Sequence, residues 1–189
     1  MGKLSKSRGK SYEYRVAKWF QARAGWEGSF RIPLSGASQR IVDEIAGHDV
    51  LAQNDKLEVK IACECKKTGA ASMRIEHEWL EKLDFATHDL DKVLIFAFAR
   101  SDHYIMIPSE QYCRLTGRVA IHGESFSARG KRFFTLHQAA LEEALGKVAE
   151  AGKGGVSLYW TPHDENYSFM TLADYIAARE KASCQQSES

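Results

Sequence analysis

A chain of 189 residues with 44% hydrophobic and 27% charged side chains can form a globular domain with its own core, and no run of about eighteen apolar residues is present to cross a membrane as a helix. The formal net charge of +1 conceals an uneven distribution: residues 1–40 carry nine Lys or Arg against Glu13 and Glu27, residues 41–95 carry seven basic against twelve acidic side chains, and the remainder is nearly neutral. A basic flank beside an acidic centre suits an enzyme that grips a polyanion and holds cations where it acts, although a basic stretch alone is also what a solvated tail looks like.

Taken in order, residues 1–10 read as a flexible basic arm with Lys3, Lys6, Arg8 and Lys10, and without the apolar segment of a secretory signal. Val16, Ala17, Phe20 and Ala24 recur at helical spacing and predict a helix over 11–24, with Glu13 on the same stripe near its start. Gly25-Trp26-Glu27-Gly28 ends that helix, and 29–32 predicts a short strand. The turn-rich stretch 33–40 is a loop whose hydroxyls and Arg40 could meet phosphate. A second strand opens over 49–52, residues 53–56 turn the chain, and 57–67 returns as a third strand. Trp79, Leu80, Leu83 and Ala86 predict a helix over 75–88. The near-continuous apolar run 93–99 predicts a strand buried on both faces, followed by a strand over 104–107 and a short helix capped by Ser109.

Beyond residue 116 the pattern gives a loop or irregular hairpin containing Arg129, Lys131 and Arg132, then a helix capped by Thr135 and Gln138 through 151. A strand over 156–160 and a terminal helix capped by Thr171 and Asp174 through Ala182 follow, before a disordered tail over 183–189. The expectation is an α/β core over 1–116, with a central mixed β-sheet flanked by helices, and a C-terminal α+β extension over 117–182 packed on it.

The third strand carries the chemistry. Leu57, Val59, Ile61, Cys63 and Cys65 alternate with Glu58, Lys60, Ala62, Glu64 and Lys66, the period of a half-buried strand. Glu64 and Lys66 therefore project side by side, a carboxylate next to an ammonium. If this strand pairs with the segment after Asp49, two carboxylates and a lysine meet, which is the material of a divalent-metal site with a group to position a water. Singly, Asp49 is explained by turn chemistry, and Glu64 with Lys66 by a salt-bridged sheet face; jointly they favour catalysis. The four cysteines, at 63, 65, 113 and 184, show no disulfide spacing, and Cys63 and Cys65 on the apolar face read as reduced core residues of a cytoplasmic protein. His48 should point away from Asp49, and His77 could face the site.

Arg8, Glu13, Arg31, Ser35, Asp49, Glu64 and Lys66 fall in the order and on the element types of a PD-(D/E)xK nuclease, which the chain resembles over residues 5–110. Within that superfamily it most resembles the archaeal-type Holliday-junction resolvases (Hjc-like), also found in viruses, although His48 stands before Asp49 where a proline is usual and the chain is longer than those compact enzymes. The resemblance implies a restriction-endonuclease-like core in which Asp49, Glu64 and the backbone carbonyl of Cys65 bind Mg²⁺ or Mn²⁺. It further implies that Glu13 assists through a metal-bound water or a second ion, that Lys66 orients the attacking water, and that Ser35 approaches the cleavage point. Lys6, Arg8, Lys10, Arg31, Arg40 and Lys67 would bind DNA.

The implied activity is structure-selective endodeoxyribonuclease cleavage that resolves four-way DNA junctions in recombination and repair, inside a cell or the host cell of a virus. Symmetric cutting needs two active sites and hence a homodimer, through the helix near Trp79 or the strand 104–107. A second reading keeps the site but acts on duplex or flap DNA, with residues 117–189 supplying specificity. A third is an inactive nuclease-fold DNA-binding protein, against which the intact Asp49, Glu64 and Lys66 argue.

Overall fold

The alternation read in the third strand is what builds the centre of the molecule. The computed structural model describes residues 3–32, 47–70, 72–81, 83, 90–98, 103–118, 124–128, 131–136, 157–160 and 167–187. Helix α1 (Lys3–Gln21) leads into strands β1 (Phe30–Arg31), β2 (Val50–Asn54) and β3 (Val59–Thr68). Then come β4 (Ser72–Ile75), α2 (His77–Glu81), β5 (Asp91–Phe98), β6 (Tyr104–Pro108) and α3 (Ser109–Thr116). The described chain continues with β7 (Glu124–Ala128), β8 (Lys131–Leu136), β9 (Ser157–Trp160), β10 (Tyr167–Thr171) and α4 (Leu172–Ser187). The large sheet has the order β1-β2-β3-β5-β6-β10 and is mixed, with β3 and β5 parallel and the other neighbours antiparallel; a second sheet has the order β4-β9-β8-β7.

Three layers result. Val59, Ile61, Cys63 and Cys65 of β3, with Val93, Ile95 and Ala97 of β5, bury one face of the large sheet against Tyr12, Val16 and Phe20 of α1, Tyr112 of α3 and Tyr175 and Ile176 of α4. Leu94, Phe96 and Phe98 of β5 face the other way, against Met73 and Ile75 of β4, Leu80 of α2 and Leu158 of β9. Because β5 is covered on both faces, its sequence reads as an unbroken apolar run rather than an alternation.

Several boundaries differ from the sequence expectation. Helix α1 starts at Lys3, so the stretch expected to be a flexible arm forms its first turns; no proline opposes helix there, and the apolar stripe further along gives the helix its anchorage. Residues 72–75 form a strand, because Met73 and Ile75 alternate with exposed Ser72 and Arg74, and the described helix after it is only His77–Glu81. Ser109 does not cap α3; Pro108 flanks that helix, and the Ser109 hydroxyl pairs with that of Ser168 at 3.0 Å. The stretch 117–134 yields the regular hairpin β7–β8, and most of the helix expected over 135–151 lies outside the described residues. Helix α4 runs to Ser187, since nothing in Ser183-Cys184-Gln185-Gln186 breaks a helix. Thr171 does cap it, its Oγ1 accepting from the Asp174 N–H at 3.0 Å.

β10 and α4 hold the far end of the chain into the large sheet. Tyr175 on α4 donates its hydroxyl to Asp91 Oδ2 at 2.6 Å, and Arg179 Nε stands 2.6 Å from the same oxygen. Burial and the neighbouring Asp91 carboxylate push the Tyr175 phenol well up, so it stays protonated and donates. Tyr175→Phe removes this donor from a buried carboxylate, and we expect it to lower unfolding free energy by about 1–3 kcal/mol in urea denaturation. A variant as stable as wild type would show that Arg179 alone satisfies Asp91.

Candidate active site

The site arises where β2 stops and β3 continues. The β2–β3 pairing runs from Asn54↔Val59 to Val50↔Cys63, whereas β3 goes on beside β5 to Thr68↔Phe98. Past Cys63, therefore, one edge of β3 has no β2 partner. Asp49 occupies this corner. Its N–H donates to the Cys63 carbonyl at 2.9 Å and its carbonyl accepts from the Ile32 N–H at 2.9 Å, which fixes its backbone between two strands. Its Oδ2 accepts from the Cys65 N–H at 2.8 Å, doing for β3 what the next residue of a longer β2 would have done. The N–H and C=O of one strand residue leave the same edge, so the Cys65 carbonyl lies on the edge that Asp49 occupies.

Register places Glu64 beside Leu94 and Lys66 beside Phe96, on the face toward the smaller sheet. Lys66 Nζ donates to Glu64 Oε1, stands 3.7 Å from Asp49 Oδ2 and lies 5.0 Å from the centre of the Trp79 ring. Asp49 is 7% and Glu64 3% exposed. Burial, and then the negative charge of Glu64, raise the Asp49 carboxyl above its ordinary value, with Cys65 and Lys66 acting the other way. Burial works against the Lys66 ammonium, but the charge and hydrogen bond of Glu64, with Asp49 behind them, overcome it and raise the lysine. Two buried carboxylates that repel one another thus converge on a cation, here the ammonium. Together with the Cys65 carbonyl they could offer an all-oxygen donor set, the kind hard divalent cations take. It consists of two side chains and a backbone group; among the described residues, no three His, Cys, Asp or Glu side chains gather as a metal cluster.

Glu13 reaches the same region from α1. It is buried, its Oε2 accepts from Arg31 Nε at 2.5 Å, and its charge is felt at Asp49. Arg31, expected to hold phosphate, thus has Nε committed to Glu13, while its Nη2 is buried without a hydrogen-bond partner among the described residues. Lys10 is exposed on α1, and Lys67 is exposed at the end of β3 with its ammonium 5.9 Å from the Tyr12 ring. Burial and the nearby positive charge of Arg15 lower the Lys67 ammonium, so Arg15, which the sequence did not single out, belongs to the same basic rim. Lys6 and Arg8 lie in the first turns of α1 with their side chains outside the described part, and Ser35 and Arg40 lie outside the described residues.

Cys63 and Cys65 are free thiols in the core, pushed up by burial and so kept protonated. His48 is buried, and exposed His77 pairs with Glu81 at 3.4 Å along α2. The strand 104–107 lies between β5 and β10 and is buried throughout, so it offers no dimer surface. Trp79 is the residue whose place sequence reasoning missed: it reads as core, yet it is only partly buried and its ring lies beside the Lys66 ammonium.

A family model described as "Phage putative PDDEXK endonuclease" matches residues 4–129, a span that holds every residue just placed at the site. No curated protein and no solved structure matches the chain.

Proposed function

Because the chain belongs to this family of phage PD-(D/E)xK endonucleases, and its mixed six-stranded sheet flanked by helices is the restriction-endonuclease-like fold, we propose that it is a metal-dependent, structure-selective endodeoxyribonuclease that cuts four-way DNA junctions. The observation that carries the reading is the meeting of Asp49, Glu64 and Lys66 at the edge of β3 beyond its pairing with β2. Asp49, Glu64 and the Cys65 carbonyl would hold Mg²⁺ or Mn²⁺, and the bound cation would supply charge neutralisation at the scissile phosphate and a more acidic water. Lys66 orients the attacking water and stabilises negative charge as it develops on the phosphate. Glu13 keeps Arg31 in place and adds negative charge on the α1 side of the site. Arg31, Lys10 and Lys67, with Lys6, Arg8 and Arg40, grip flanking phosphates, and Ser35 approaches the cleavage point; binding then weakens steeply with salt. Two copies act together, one on each of two symmetric strands.

One observation favours a second reading, cleavage of duplex or flap DNA: a whole second sheet, three of its four strands from beyond residue 116, stands on the face to which Glu64 and Lys66 project. A fluorescently labelled four-way junction, linear duplex and flap, each incubated with the protein and Mg²⁺ at two salt concentrations, separate the two. Paired symmetric nicks in the junction alone are the expected result. Cutting of plain duplex would move the substrate to the second reading, and no cutting of any DNA with Mg²⁺ or Mn²⁺ would overturn both.

A further inference from the structure

Trp79 has no role in the chemistry set out above, yet its ring is held at the site from two directions. It lies on α2, directly after β4, and packs against the cluster that contains Met73, Ile75 and Leu80. Its ring centre is 5.0 Å from Lys66 Nζ, inside the ~6 Å within which the negative face of an indole attracts a cation. The same ammonium donates to Glu64 and stands 3.7 Å from Asp49. A lysine head on a four-carbon stem is free to leave for water unless something confines it, and this side chain is 24% exposed. The carboxylates attract this ammonium by charge, and the indole stands beside it.

We propose that Trp79 is the positioning residue for Lys66, its ring holding the ammonium against the Asp49 and Glu64 carboxylates. The smaller sheet thereby reaches the site through β4 and α2. The catalytic consequence rests on the nuclease reading above; the contact itself does not. It predicts that removing the ring slows the chemical step and leaves DNA binding alone, because the indole acts through the lysine.

The test uses the full chain labelled with ¹³C at the lysine ε-carbons. Lys67 also lies near a ring, that of Tyr12, so the Lys66 ε-methylene signal displaced by the indole ring current is identified by its absence in Lys66→Met. That signal returns to the ordinary lysine position in Trp79→Leu and in Trp79→Met, whose flexible side chain fills the space against Met73 and Ile75, and is partly kept in Trp79→Phe. In cleavage assays the Leu and Met variants lose about tenfold in kcat with KM unchanged, and Trp79→Phe recovers most of the loss. A Lys66 signal that stays put in both Leu and Met variants overturns the proposal. So does a rise in KM at constant kcat, which would mean that the indole touches DNA instead. If wild type cuts no DNA, the nuclease reading fails while the lysine signal still decides the contact.

Discussion

Asp49→Asn is expected to abolish cleavage while leaving the protein at least as stable as wild type. The amide oxygen of asparagine can still accept from the Cys65 N–H, so the hydrogen bond that closes the β3 edge survives. What disappears is a buried negative charge that faces Glu64 and is raised by burial and by that neighbour. Removing one of two repelling carboxylates should raise unfolding free energy by about 1 kcal/mol, while loss of a cation ligand should cost at least about a hundredfold in rate. The pH dependence has a definite sign. A carboxyl raised above 3.8 in the folded state binds its proton more tightly there than in the unfolded chain. Its destabilising charge is fully present above the folded value and is relieved as pH falls through that value toward 3.8. The stability advantage of Asp49→Asn should therefore be largest near neutral pH and shrink on acidification, which thermal unfolding at a series of pH values reads directly. An advantage that grows on acidification would contradict this account of the site.

Lys66→Met should be as inactive but behave oppositely in stability. With the ammonium gone, Glu64 and Asp49 are left as buried charges with no cation between them, and we expect a loss of about 3 kcal/mol. Lys66 is raised above 10.5, so its contribution is complete at neutral pH and is lost only as pH climbs through the folded value. The variant also tests the donor set without any nuclease assay. A divalent cation that binds the folded state stabilises it by mass action, and carboxylates freed from the ammonium bind it more tightly. Added Mg²⁺ should thus raise the melting temperature of Lys66→Met more than that of wild type. An Mg²⁺ response equal in the two proteins would separate the carboxylates from metal binding.

The two variants also show which parts of the molecule are legible in the sequence. Period two in β3 is a covalent consequence of strand geometry, so the pairing of Glu64 with Lys66 on one face, and of Cys63 with Cys65 on the other, can be read from residue types alone. The doubly covered β5 is legible for the same reason. Asp49 is not a strand residue, and its place at the corner depends on where β2 begins, a long-range fact that the Gly47-His48-Asp49 turn signal only suggests. The start of helix α1 is not legible because its first turns lack the apolar stripe that marks the rest. β4 is not legible because its alternation spans only four residues, and its last, Ile75, falls at the start of the helix expected over 75–88. The Glu13–Arg31 pair and the Trp79–Lys66 contact join elements distant in sequence, and no local pattern announces them.

Asp49, Glu64 and Lys66 are the proposed centre of a metal-dependent nuclease. The most direct test of that role is cleavage of labelled branched DNA by wild type and by Asp49→Ala, side by side, with Mg²⁺ and with the metal removed by chelation. Cutting by wild type only when Mg²⁺ is present, and none by Asp49→Ala in either condition, is the predicted result. Equal cutting by Asp49→Ala would contradict it.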